Sequence, residues 1–194
     1  MKAQRSVLFG EAIKLLDSGH ARAALEIAEK LVSSDDEQDK LSGYFCRGAI
    51  YEDGGSDLSI DIDKAIYNYR QVALLSPDWV AFNNLARMHI KKGGSNAFVD
   101  AKKYLDEAAK IEVSPEVLLG YALYYRKKPD SNPSIAKQYY LQAAIRGRFS
   151  GLFGYSEVAR EVGQPFRAII ADCARILFGP FVVFLIGSKA RNVF

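Results

Sequence analysis

Histidine and cysteine are scarce in this chain, with two of each among 194 residues. Cys46 and Cys173 lie far apart, and neither belongs to a CxxC pair or a metal-ligand cluster, so the sequence requires no disulfide framework or thiolate metal centre. The expectation is two partly buried thiols in a reducing compartment. Neither His20 nor His89 has a second histidine at ligand spacing. His20 follows Gly19 at an expected helix end, and His89 falls on an expected packing face, so both read as structural. Also missing are HExxH, GxSxG, GxxxxGK[ST] and a strand–GxGxxG–helix unit. No catalytic, metal or cofactor site is therefore expected, and the chain does not read as an enzyme. Charge of one sign is lacking too. The net charge is +3, and the basic residues are scattered among acidic ones, which argues against a nucleic-acid partner. Residues 1–9 hold no long apolar stretch, so no secretory leader is read there and a cytoplasmic location is expected.

The acidic clusters read as helix starts. Residues 33–37, with Asp35, Asp36 and Glu37, suit the cap of a following helix, and Asp61 and Asp63 suit the N-terminal dipole of another. Neither cluster supplies the ordered oxygens of a calcium loop.

What the chain does have is a rhythm. Ala65, Ala101 and Ala136 stand 36 and 35 residues apart, and Tyr69, Leu105 and Tyr140 repeat those intervals, as do Val72, Ala108 and Ala143. Each lies in an alanine-centred helical segment. A second series of small residues, Gly48, Ala86, Gly120 and Gly154, recurs at 38, 34 and 34. Glycine inside a helix costs about 1 kcal/mol relative to alanine, so its recurrence implies close helix approach within each pair. A fixed period in this range implies helix A followed by helix B, repeated and stacked. The expected units are about 5–38, 41–77, 79–112, 113–147 and 148–178, with an apolar tail at 179–194.

On these residues the chain resembles the tetratricopeptide repeat superfamily, and in its middle the longer-looped Sel-one-like repeats. The Gly48/Tyr51/Gly54 and Leu85/Ala86/His89/Gly93 series match helix A of the family pattern, and Ala65/Tyr69/Val72 and Ala136/Tyr140/Ala143 match helix B. The resemblance covers roughly residues 5–178. His89 and Glu157 stand where the family has an aromatic, and the segment 166–178 aligns poorly as a last helix B. The resemblance implies an all-α, right-handed α-solenoid of about five antiparallel helix pairs. It also implies a concave helix-A groove that binds a protein or peptide, lined here by Phe45, Glu52, Asn83, Arg87, Tyr121, Tyr124 and Tyr155. The function expected from it is a non-catalytic adaptor or scaffold. The alternative is a dedicated inhibitor or chaperone that sequesters one partner. Bacterial relatives of the family often serve envelope or secretion assemblies.

The end of the chain departs from the rhythm. Residues 176–187 carry no charge, whereas terminal repeats normally present a polar cap. Upstream, Phe166, Ile169, Ile170, Cys173, Ala174 and Leu177 keep helical spacing, and Pro180 is expected to break or redirect the helix. Three readings stay open. A membrane span is opposed by Asp172 and Arg175 within the required length. An interfacial anchor would place Phe178, Phe181, Phe184 and Leu185 at the lipid boundary, on the cytoplasmic face of a membrane. The third reading packs the tail on the solenoid or on another protein chain.

Overall fold

The computed structural model describes residues 7–186, with side chains through Leu177. It is all-helical, with no strand among the described residues. The elements are α1 (Val7–Asp17), α2 (Ala21–Val32), α3 (Glu37–Asp53), α4 (Ile62–Leu75), α5 (Trp79–Lys92), α6 (Ser95–Ile111), α7 (Pro115–Lys127), α8 (Pro133–Ile145), α9 (Ser150–Glu161) and α10 (Pro165–Ile186). They form two compact units, residues 1–92 and 93–194, and the boundary between them falls inside the third expected repeat. Within each unit consecutive helices pack on one another, as a helical-repeat solenoid requires.

Local chemistry fixes the helix starts. Asp36 caps α3, accepting from the Gln38 and Asp39 amides at 2.8 and 2.9 Å. Asp61 caps α4, accepting from the Lys64 amide at 3.0 Å, and that hydrogen bond holds its carboxyl below the usual range. Ser114 and Asn132 cap α7 and α8, each followed by a proline, which suits the first helical turn. Gly54 closes α3 with φ of 65°, a left-handed conformation that favours glycine.

The alanine rhythm marks the packing faces. Ala65, Ala101, Ala108, Ala136 and Ala143 are fully buried, and Tyr69, Leu105 and Tyr140 are buried on the same helix faces. In the first unit α1, α2 and α3 enclose a core of Phe9, Ala12, Ala21, Ala24, Ile27, Ala28, Leu31, Cys46 and Ile50. Small residues let the helices approach closely. A Cβ on Gly48 would lie 2.7 Å from the Tyr69 ring of α4, so the expected approach within a pair holds there. In the second unit Ala122, Ala136, Tyr140 and Val158 form a core across α7, α8 and α9. Here the expectation needs correction. Gly154 of α9 lies against the ring of Tyr140 on the preceding α8, so this approach joins two pairs rather than closing one.

Two further expectations change. Cys46 is buried as expected, but Cys173 is exposed. Burial pushes the Cys46 thiol up to about 12, leaving almost no thiolate at neutral pH. Iodoacetamide at pH 8 should therefore alkylate Cys173 quickly and spare Cys46 until the protein unfolds. Two adducts appearing together by mass spectrometry of the native protein would contradict this. Second, Pro180 does not end α10, which continues to Ile186. Proline removes one backbone N–H from the ladder, and the turns on either side remain bonded. At 22 residues α10 is about 33 Å long, against about 18 Å for the 12-residue α9 on which it packs. The last turns of α10 thus run past their partner helix.

Candidate functional site

The seven residues expected to line a helix-A groove are placed in quite different surroundings. In the first unit, Glu52 of α3 is 4% exposed and engages three partners. Its Oε2 accepts from Arg87 Nη2 at 2.7 Å and from the Tyr69 hydroxyl at 3.1 Å, and its Oε1 accepts from Lys91 Nζ at 2.6 Å. Arg87 also donates to Asn84 at 3.1 Å. Asn83, expected to line the groove beside Arg87, instead has its side-chain oxygen buried without a hydrogen bond among the described residues. Burial, then the Glu52 charge, raises the Tyr69 phenol far above its ordinary value. This cluster ties α3, α4 and α5 together, and its charges are already satisfied from within the unit.

Phe45 is half-buried between Phe9 and Tyr69, with ring centroids 6.4 and 5.9 Å away. One side of it borders a cleft of about 250 Å³ among α1, α3, α4 and α5, together with Leu41, Val72, Val80 and Ala81. Phe45, one of the four groove residues expected in this unit, lines this cleft.

In the second unit, Tyr121 and Tyr124 belong to an aromatic stack. Tyr139 lies between Tyr121 and Tyr125, with centroids at 5.1 and 5.7 Å. The Lys102 and Lys128 ammoniums sit 5.5 Å from the outer two rings. Tyr124 meets Tyr125 and Phe98 edge-on. The Tyr121 hydroxyl donates to Asp106 Oδ1 at 2.7 Å. Burial tends to raise the Asp106 carboxyl, but hydrogen bonds from Lys102 and Tyr121 outweigh it and hold the group below its ordinary value. These tyrosines join α6, α7 and α8.

A second ionic tie mirrors the first with its charges exchanged. Arg126 of α7 donates to Glu157 at 2.7 Å and to Glu161 at 2.5 Å, both on α9. Glu157, where the resemblance had led to an aromatic, is thus an anchor between helices.

Tyr155 is half-buried and borders two adjoining recesses. One, of about 340 Å³, is lined by Ser134, Lys137, Gln138, Gln164 and Arg167. The other, of about 320 Å³, is lined by Leu152, Ile170, Ala171 and Ala174. Leu141, Tyr155 and Arg167 are common to both. Sequence reasoning passed over Lys137, although its spacing held the signal. It stands three residues before buried Tyr140 and seven before Ala144, on the apolar face of its helix.

Beside the recesses, α10 presents apolar side chains outward. Ala168 and Ala171 are buried, and Asp172 pairs with Arg160 of α9. Phe166, Ile169, Ile170, Ile176 and Leu177 are each more than half exposed. Phe178, Phe181, Phe184 and Leu185, expected to carry tail interactions, have side chains outside the described residues. Among the described residues no helix is long and apolar enough to cross a membrane, and no cluster of three or more His, Cys, Asp or Glu could hold a metal ion. Set beside protein-family models, curated proteins and solved structures, the chain matches none of them.

Proposed function

We propose that this chain is a non-catalytic protein-interaction adaptor that recognises a protein or peptide partner through pre-ordered helical surfaces. The observation that carries this reading is the outward apolar stripe of α10. Phe166, Ile169, Ile170, Ile176 and Leu177 follow helical spacing and stand mostly in solvent, while the opposite side of the helix is buried on α9. Contiguous exposed apolar surface of this kind marks interaction sites. The cleft at Phe45 gives the first unit a recess of its own, and an adaptor needs more than one contact surface. The resemblance to tetratricopeptide and Sel-one-like repeats favours the same class of function. Recognition by side chains already fixed in stacked helices incurs little ordering loss on the receptor side.

The test places a photo-crosslinking amino acid at Ile170, and separately at Leu74, an exposed apolar position on α4. In cells that naturally express the protein, Ile170 should give a discrete crosslinked species containing a second protein, and Leu74 should not. Equal, diffuse crosslinking at both positions would remove the basis for this assignment.

A further inference from the structure

Lys137 sits in an unusual electrostatic position. It is 8% exposed, yet its one hydrogen-bond partner among the described residues is the neutral amide oxygen of Gln164, at 2.7 Å. The same oxygen lies 3.5 Å from Arg167 Nη1. A single amide oxygen therefore faces two cations and neutralises neither. A buried charge without a counter-charge is costly, and a carboxylate entering the site would relieve it.

The surroundings supply no such carboxylate. The lining of the recess contains no acidic residue. The acids on the neighbouring helices are committed elsewhere, Glu157 and Glu161 to Arg126 and Asp172 to Arg160. Residues 133–177 hold six basic and three acidic side chains, a surplus as large as that of the whole chain. The recess also opens beside the apolar one, with Leu141 and Tyr155 shared between them.

We infer that this double recess is a recognition pocket for a side-chain carboxylate carried on an apolar peptide segment. Lys137 and Arg167 receive the carboxylate, displacing Gln164 from its bridging position. Leu141, Leu152, Ile170 and Ala174 receive a neighbouring apolar side chain. Both halves of the ligand are required by the site. Free phosphate would satisfy the cations and leave the apolar half empty. A bilayer surface presents headgroups in a plane, whereas Lys137 is 8% exposed and lines a recess of about 340 Å³. The identification of the ligand as a peptide rests on the adaptor reading; the demand for a carboxylate rests on buried Lys137, which has no counter-charge, with exposed Arg167 beside it.

Selection of a random dodecapeptide display library on the full-length protein tests both levels. Peptides with Asp or Glu next to Leu, Ile or Phe should be enriched. Binding of an enriched peptide, measured by fluorescence anisotropy, should weaken about tenfold or more when its acid is changed to the amide, or with Lys137→Met or Arg167→Gln in the protein. Thermal unfolding of each variant checks that the fold is kept, and Arg167→Gln serves as the second probe if Lys137→Met does not fold. Enrichment of apolar peptides without an acid would overturn the carboxylate pocket and leave the adaptor reading intact. No enrichment at all would overturn the peptide pocket, while the adaptor reading stands or falls on the crosslinking at Ile170. Lys137-dependent pelleting with phosphatidylserine vesicles, without peptide enrichment, would reassign the pocket to lipid and so overturn the peptide inference.

Discussion

Replacing Gly43 by alanine is expected to lower the unfolding free energy by about 2 kcal/mol, while the same replacement at Gly10 raises it by up to about 1 kcal/mol. Both glycines lie within helices, α3 and α1, where alanine is the better helix former. Their surroundings differ. Nothing lies within 4 Å of a Cβ built on Gly10. A Cβ on Gly43 would stand 2.7 Å from the Val32 amide nitrogen, 2.8 Å from Val32 Cγ2 and 2.9 Å from the Ala28 carbonyl oxygen. Two of these three atoms are backbone of α2 and cannot rotate away, so α3 must move off the core that it shares with α2. Overpacking of this kind costs about 3 kcal/mol, against which the gain in helix propensity offsets about 1. Urea denaturation of both variants gives the signs directly. Stabilisation by both would mean that α2 and α3 do not approach as closely as described.

Glu52→Ala should be comparably severe, at about 3 kcal/mol. The loss does not come chiefly from the cations, because Arg87 and Lys91 are each roughly 40% exposed and can turn to water. It comes from the Tyr69 hydroxyl, which is left buried without an acceptor, and from the cavity vacated by the carboxylate. The combination of Glu52→Leu with Tyr69→Phe should therefore be milder than Glu52→Ala alone, since it removes the polar partners together and keeps the volume. A double-mutant cycle on Glu52 and Tyr69 should give a coupling of about 1 kcal/mol. Strictly additive effects would show that the hydroxyl and carboxylate do not depend on each other.

Much of the scaffold was legible because it is local. Helix faces follow from apolar spacing, and Asp36 and Asp61 announce helix starts by chemistry confined to a few neighbours. The small residue at 48 pointed correctly to a close approach, although the same logic at 154 chose the wrong neighbouring helix. A glycine reveals that something lies close without saying on which side. The site was far less legible. Glu52 and Arg87 were both singled out, but as separate groove residues, because nothing in their spacing states that they bind each other across 35 positions. Tyr121 and Tyr124 carry the chemistry of a binding surface and serve here in a stack. Lys137 escaped notice because a lysine is ordinarily solvated, and its place on the apolar face of α8 was outweighed by its charge.

The two ionic ties bear on how such a chain can be rebuilt. In one, a glutamate on the earlier helix meets an arginine on the later; in the other, an arginine on the earlier helix meets glutamates on the later. Opposite polarity makes the modules non-interchangeable. Splicing the α3–α4 pair in place of α7–α8 would remove Arg126 and leave Glu157 and Glu161 without the guanidinium that ties them to the preceding helices. The repeats therefore carry an address as well as a shape, so neighbours are told apart by sign even where their helices are nearly superposable in pattern. Shuffled or duplicated versions of this chain should fail at their junctions before they fail in their cores.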